Sequence, residues 1–176
     1  MATVFSHAVA GFAIATLGHA PASPTRLVLA GALCAAAPDL DVVTVWLGVP
    51  WGHVLGHRGI THSLAFAAVL AAVVTASAFR GPGRLATWLV LFVATASHGV
   101  LDATTNGGSG VAFFAPFEDT RYFLPWRPIP VSPIGVSRFL TRRGLEIMGA
   151  ELWLIWLPAA VVALIGLVRR GRRGRA

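Results

Sequence analysis

The chain has 176 residues, of which 56% are hydrophobic and only 12% charged, and its mean hydropathy is +0.72. Soluble domains carry about twice that charged fraction, so the composition excludes an ordinary soluble domain and indicates a membrane protein. The net charge is +7, and every basic residue is an arginine. Five arginines crowd into residues 169–176 behind an apolar segment, which favours a cytoplasmic topology anchor near anionic lipid over nucleic-acid binding.

Five apolar segments predict an all-α fold, a multi-spanning bundle of about five helices in one domain spanning residues 1–176. The first segment lacks a positively charged start and is interrupted by His7, so we expect a retained helix and no signal peptide. Pro82 and its flanking glycines predict a tight connector between the third and fourth helices. The predicted helices cover residues 3–19, 25–48, 61–79, 84–103 and 147–168.

Residues 104–146 differ in character, being rich in glycine, proline and aromatic side chains. A connection of this length in a compact domain is typical of a functional insertion, so we expect an extramembrane lid. Short strands are possible near residues 121–123 and 129–131. Thr61 is the expected N-cap of the third helix.

The distribution of arginine predicts the orientation in a bacterial inner membrane. If the basic tail 169–176 is cytoplasmic, then Arg26, Arg80 and Arg84 also lie on the cytoplasmic side, as the positive-inside rule favours. Arg26 and Asp41 are 15 residues apart, about 22 Å along a helix. We therefore expect the acids and histidines to meet at one level, toward the outer leaflet.

Seven ionisable residues are predicted to form this level, and intramembrane acids and histidines are costly unless they pair, bind a metal or line water. Imidazole and carboxylate suit Zn²⁺, Mn²⁺ or Fe²⁺, and the number of ligands allows one or two ions. The candidate metal ligands are His7, Asp39, Asp41, His57, His62, His98 and Asp102.

Local spacing supports a common site. His98 and Asp102 are four residues apart and share one helix face. Asp39 and Asp41 diverge by about 200° on an ideal helix, so either the helix is broken near Pro38 or only one acid faces the cluster. Gly59 allows a tight turn that brings His57 toward His62.

Several alternatives stay open at this stage. His7 could be a structural polar residue, and Asp39 or Asp41 could form a salt bridge with Arg58. Glu146 and Glu151 could serve the start of the fifth helix or support the cluster. His19 and His53 lie off the pattern and are expected at the interface.

The ordered motifs "PDLD", "GHRGITHS" and "SHGVLD", preceded by an early histidine and followed by "RYFLPWRPIPVSPIG", resemble the YdjM-like family. This LexA-regulated family comprises predicted membrane-bound metal-dependent hydrolases. The resemblance spans about residues 5–155 and implies a multi-spanning hydrolase. The order of histidines and aspartates is also distantly similar to the zinc-dependent phospholipase C and single-strand nuclease group. Because no histidine follows Asp102, the complete three-zinc set of that group cannot form here.

The sequence thus predicts a membrane-bound hydrolase in which a metal-activated water attacks a phosphoester or lipid-like substrate. Asp39 or Asp41 is the expected general base, while Arg58 and Arg127 are expected to hold an anionic substrate. Membrane lipids are the other expected partners, and the sequence specifies no oligomeric state. The alternatives are a metal-ion or proton transporter and a non-catalytic metal-binding scaffold.

Overall fold

The computed structural model describes residues 1–18, 23–133 and 139–173, and within these ranges every regular element is helical. The α-helices are α1 (Val4–Leu17), α2 (Pro24–Ala36), α3 (Val42–Trp46), α4 (Leu64–Ala78), α5 (Arg84–Ala103), α6 (Arg142–Glu151) and α7 (Leu157–Arg173). A 3₁₀ turn, Ala37–Asp41, joins α2 to α3, and a π turn, Leu152–Trp156, joins α6 to α7. The described residues therefore form five helical segments, as predicted.

Three helical segments are long and apolar enough to cross a membrane, and they contain 23, 20 and 31 residues. They are Pro24–Trp46, Arg84–Ala103 and Arg142–Arg172. The helices α1 and α4 are apolar but shorter, with 14 and 15 residues. Together these lengths are those of a helical membrane bundle.

Local chemistry explains where the helices begin. Thr3 caps α1, and Ser23 caps α2, in which Pro24 occupies the first turn. The prediction that Thr61 caps the third helix is wrong. Ser63 is the cap of α4, and its hydroxyl accepts a hydrogen bond from the Phe66 amide, because Thr61 belongs to a preceding 3₁₀ turn.

Two further predictions need correction. The last helical segment begins at Arg142, five residues earlier than the predicted 147. The strands expected near residues 121–123 and 129–131 are single bridges, Val111 with Tyr122 and Thr105 with Ile129. Glycines and prolines interrupt the extended backbone before a ladder can form. Residues 134–138, within the predicted insertion, and His19 lie outside the described residues.

Small residues let α1 and α2 approach closely. A Cβ on Gly11 would lie 2.4 Å from the Cβ of Ala35, and one on Gly31 would lie 2.5 Å from the Cβ of Ala15. Such close packing of small residues is typical of helix pairs in membranes. It draws the first two helices together beneath the ionisable cluster.

Arginines collect at one end of the bundle. Arg26, at the start of α2, donates to the carbonyl of Ala78 at the end of α4. Arg170, near the end of α7, donates to the carbonyls of Ala15 and Gly18 at the end of α1. The histidines and aspartates lie toward the opposite ends of these helices.

Candidate metal centre

Four parts of the chain bring seven buried ionisable side chains together: the start of α1, the 3₁₀ turn after α2, the loop before α4 and the end of α5. Each of these residues is between 0 and 8% exposed. Six of the seven, all except Asp41, form three overlapping sets among the described residues, and within each set one ligand atom per residue lies within 4.8 Å of the others. The sets are His7 with Asp39 and His98, Asp39 with His57 and His62, and His62 with His98 and Asp102.

The Nε2 atoms of three histidines face the centre of the cluster. Those of His62 and His98 are 2.9 Å apart, and the ring of His7 stacks on that of His98 with centroids 3.6 Å apart. Carboxylates complete the ring of donor atoms. Asp39 Oδ1 lies 3.4 Å from His98 Nε2, and Asp102 Oδ1 lies 3.4 Å from His7 Nε2.

The opposite nitrogen of three histidines is fixed by an acceptor. His98 Nδ1 donates to the carbonyl of Ala35 at 2.7 Å, and His57 Nδ1 donates to Asp41 Oδ1 at 2.7 Å. His62 Nδ1 lies 3.0 Å from the Thr61 hydroxyl oxygen, its hydrogen-bond partner, and 3.2 Å from Asp41 Oδ2. A carbonyl can only accept, so Nδ1 of His98 carries the proton and its Nε2 carries the lone pair. This is how ligating histidines are oriented in metal sites.

Several nitrogen and oxygen atoms at the centre, each able to bind a metal ion, have no hydrogen-bond partner. Among the described residues these include both ring nitrogens of His7, both carboxylate oxygens of Asp39 and Oδ2 of Asp102. Buried polar atoms are normally satisfied, and charged ones cost most when they are not. Unpartnered nitrogen and oxygen donors converging from three elements fit a borderline metal such as Zn²⁺, Mn²⁺ or Fe²⁺.

The net charge of the cluster also favours a bound metal ion. Three carboxylates against one buried guanidinium leave two negative charges when the histidines are neutral, which a divalent cation would balance. Burial opposes protonation of His62, but the neighbouring Asp102 and Asp41 carboxylates outweigh it and raise the pKa of His62 to about 9. Two lone pairs 2.9 Å apart would repel, so the His62–His98 pair needs a proton or a metal ion between its nitrogens.

The two acids of "PDLD" face the cluster but occupy different environments. The turn that begins after α2 places both on the inner side, so the break near Pro38 expected from the sequence is present. Asp41 accepts from His57, from the Arg58 amide and from the Thr61 hydroxyl. Asp39 accepts no such hydrogen bond from the part of the chain that the structure describes, so its oxygens can bind a ligand.

Arg58 is buried inside the cluster, with its backbone in the left-handed region at φ 63°. Its Nε lies 2.9 Å from Asp102 Oδ2 in an ion pair that lacks the geometry of a hydrogen bond. Its terminal nitrogens donate to the Gly107 carbonyl and the Thr105 hydroxyl. The side chain of Arg58 thus pairs with Asp102 and not with Asp39 or Asp41. Two of its five N–H groups have no partner among the described residues.

A second arginine, Arg121, fixes the loop that carries His57. Its guanidinium donates to the carbonyls of Trp51, His53, His57 and Arg58. The insertion also contacts this loop through the Ala112 amide, which donates to the Arg58 carbonyl. The described part of the insertion therefore packs on the cluster.

Three residues considered from the sequence lie outside the cluster. Arg127 is exposed, with its guanidinium 4.8 Å from the centroid of the Phe123 ring, so its predicted contact with a substrate anion stays a prediction. Glu146 is 53% exposed and pairs with Arg142 and Arg143. His53 is exposed, and its Nδ1 accepts from the Leu55 amide.

Glu151 supports the cluster without joining it. It is fully buried and accepts from the Thr3 amide at 2.7 Å, from the Thr3 hydroxyl and from the Ser6 hydroxyl at 2.5 Å. The neighbouring Ala2 amide donates to Asp102 Oδ1 at 2.9 Å. The last helical segment thereby anchors the start of α1, from which His7 projects.

Sequence reasoning missed two of these supports. The Ala35 carbonyl is backbone and carries no signal in the sequence, and Arg121 sits among many other polar residues of the insertion. The contact of Glu151 with Thr3 joins residues 148 positions apart, so spacing alone could not reveal it.

The comparisons with known proteins also identify relatives that are inner membrane proteins. The sequence matches the family described as "YdjM inner membrane protein" over residues 1–173. It is 39% identical over 175 residues to a protein of Escherichia coli strain K12 described as "Inner membrane protein YbcI", covering 98% of this chain and all of the relative. No solved structure matches.

Proposed function

The chain belongs to the YdjM inner membrane protein family, and we propose that it is a divalent-metal-dependent hydrolase acting on a phosphoester. The observation that carries the proposal is the set of unpartnered donor atoms at the centre of the cluster. A bound Zn²⁺, Mn²⁺ or Fe²⁺ would supply a water of lowered pKa and polarise a phosphoryl oxygen.

We propose His7, Asp39, His62, His98 and Asp102 as the ligand set for one or two ions. Their nitrogen and oxygen atoms face one another across the centre. His57 would complete a second position, because it shares a set with Asp39 and His62.

Asp39 and Asp41, the two acids of "PDLD", would have different roles. Asp41 would accept the Nδ1 proton of His57 directly and would orient His62 through the Thr61 hydroxyl, which would keep each Nε2 available to bind a metal ion. Asp39, whose oxygens accept no hydrogen bond from the described residues, would bind the ion or accept a proton from water. Arg58 pairs with Asp102 and retains N–H groups for a substrate anion.

We also propose that the cluster lies toward the outer leaflet and that the C-terminus is cytoplasmic. The arginines at the opposite end of the bundle support this orientation through the positive-inside rule. A C-terminal fusion to a fluorescent protein that matures only in the cytoplasm should be bright. A fusion to alkaline phosphatase at the same point should be inactive.

The hydrolytic proposal is tested with purified full-length protein supplied with Zn²⁺ or Mn²⁺ and the soluble diester bis(4-nitrophenyl) phosphate. We expect release of 4-nitrophenol that is lost in His98→Ala and retained in His53→Ala, whose histidine is exposed and outside the cluster. Equal rates in the wild type and His98→Ala would overturn the proposal.

A further inference from the structure

An apolar cavity of about 570 Å³ opens beside the cluster. Its wall combines the start of α1, the segment around α3 and residues near the start of the last helical segment. This volume is within the range typical of small-molecule sites. Residues that line it include Phe5, Ala36, Asp39, Val42, Trp46 and Phe139.

Asp39 is the one carboxylate among the described residues that line this cavity. Its side chain is only 7% exposed, and neither oxygen has a hydrogen-bond partner among the described residues. A carboxylate facing an apolar space is costly unless a ligand brings a cation or a polar group to it. The cavity therefore joins an apolar volume to the reactive end of the cluster.

A smaller cavity of about 220 Å³ lies on the polar side of the cluster and shares Met1 and Ser132 with the apolar one. Its lining includes His57, Arg58 and Ser109. The remaining N–H groups of Arg58 suit a phosphate oxygen. A cavity that contains His57 and Arg58 and a larger apolar cavity, on adjoining sides of one cluster, match the headgroup and the chain of an amphiphile.

The rim of the apolar cavity indicates how a ligand would enter. Leu40, Trp46 and Leu140 line it and are between 71 and 77% exposed. Trp46 ends a helical segment of membrane-spanning length, where tryptophan is typical of the interface. Large exposed apolar side chains at that position face lipid, so the opening lies toward the bilayer.

We infer that the apolar cavity binds the hydrocarbon chain of a lipid substrate whose phosphoester lies at the His/Asp cluster. This inference rests on the proposed function and adds the substrate class and its direction of entry from the bilayer. The chain packs against the aromatic and aliphatic wall, and the phosphoester lies at the inner end, beside Arg58 and the cation that Asp39 would hold.

The test uses dodecyl phosphate carrying a diazirine at the end of its chain, added to the full-length protein in phosphatidylcholine nanodiscs. After illumination, mass spectrometry locates the labelled peptides. We expect saturable labelling within residues 1–5 and 36–46, displaced by plain dodecyl phosphate and not by ethyl phosphate. Labelling spread evenly over the outer faces of α4 and α7 would overturn the inference.

Matched tryptophan variants sharpen the result. Ala36→Trp places a larger side chain in the cavity wall and leaves less room for the hydrocarbon chain. We expect labelling to fall about tenfold, because overpacking commonly weakens an interaction by at least the free energy that corresponds to a tenfold change in affinity. Leu33→Trp, on the same helix but outside this cavity and 71% exposed, should label as the wild type does. Unchanged labelling in Ala36→Trp would contradict the inference. The wild-type label positions decide the question if that variant does not fold.

Hydrolysis of bis(4-nitrophenyl) phosphate is measured on the same preparations, because the soluble diester has no chain for the cavity. Cavity labelling without hydrolysis would overturn the proposed function alone. Hydrolysis without cavity labelling would overturn the chain-binding inference alone.

Discussion

Replacing Asp41 with asparagine tests whether this residue orients the histidines. Asparagine keeps the size of the side chain and one acceptor oxygen, which can still serve the Thr61 hydroxyl at 2.6 Å and the Arg58 amide at 3.2 Å. Its second atom becomes an amide nitrogen, which donates and does not accept. With the oxygen in the Oδ2 position, the amide nitrogen replaces Oδ1, and His57 loses the acceptor of its Nδ1 proton.

An imidazole facing that amide must carry its proton on Nε2, where the proton blocks the donor atom aimed at the centre. Losing such an orienting contact typically weakens metal binding about 10- to 100-fold, or ~1.4–2.7 kcal/mol. Because His57 alone loses its acceptor and His62 stays beside the retained oxygen, we expect the lower part of that range.

The assay is competition for Zn²⁺ between the purified protein and a chromogenic chelator of known affinity. Asp119→Asn, which removes an exposed carboxylate outside the cluster, is the matched control and should bind like the wild type. If Asp41→Asn also binds Zn²⁺ with wild-type affinity, Asp41 does not orient the ligands and the division between the two acids is refuted.

Three further predictions concern residues that hold the cluster in place. Each is measured as the change in the free energy of unfolding in detergent. Glu151→Ala leaves buried hydrogen-bond donors at the start of α1 unsatisfied and should lower the free energy of unfolding by about 1–3 kcal/mol. Glu146→Ala removes an exposed ion pair and should lower it by less than about 1 kcal/mol. Equal losses in the two variants would refute the anchoring role of Glu151. Gly59→Ala places a Cβ 2.1 Å from a carbonyl oxygen and should cost about 1–3 kcal/mol, while Gly52→Ala meets open space and should be neutral. Arg58→Ala leaves a buried carboxylate without its partner and should cost about 3–5 kcal/mol, so wild-type stability in this variant would contradict the buried ion pair.

Much of the fold follows from the sequence because its signals are local. Apolar runs of membrane length define the helical segments, and the glycines of the 80–84 connector adopt the positive φ values, 93° and 84°, that other residues avoid. The break after α2 follows from Pro38, which cannot donate within a helix. The start of the last helical segment was harder to predict, because the arginines and glutamate of its first turns carry no apolar periodicity.

The candidate site could be predicted as a set of residue types at one level, because helix length fixes depth. The different roles of the individual residues in the site could not be predicted. Asp39 and Asp41 are equivalent in the sequence, and only the turn between α2 and α3 gives donors to one and none to the other. The partners of Arg121 are mostly backbone carbonyls, which a sequence does not distinguish.

The central claim is that the buried histidines and aspartates bind a divalent metal. X-ray absorption spectroscopy with elemental analysis on the purified full-length protein tests it most directly. We expect at least one Zn, Mn or Fe per chain, a first shell of nitrogen and oxygen with imidazole scattering, and loss of the metal in His98→Ala and Asp102→Ala. A wild-type protein that holds no such metal after incubation with each ion, or a metal signal unchanged in both variants, would contradict the account.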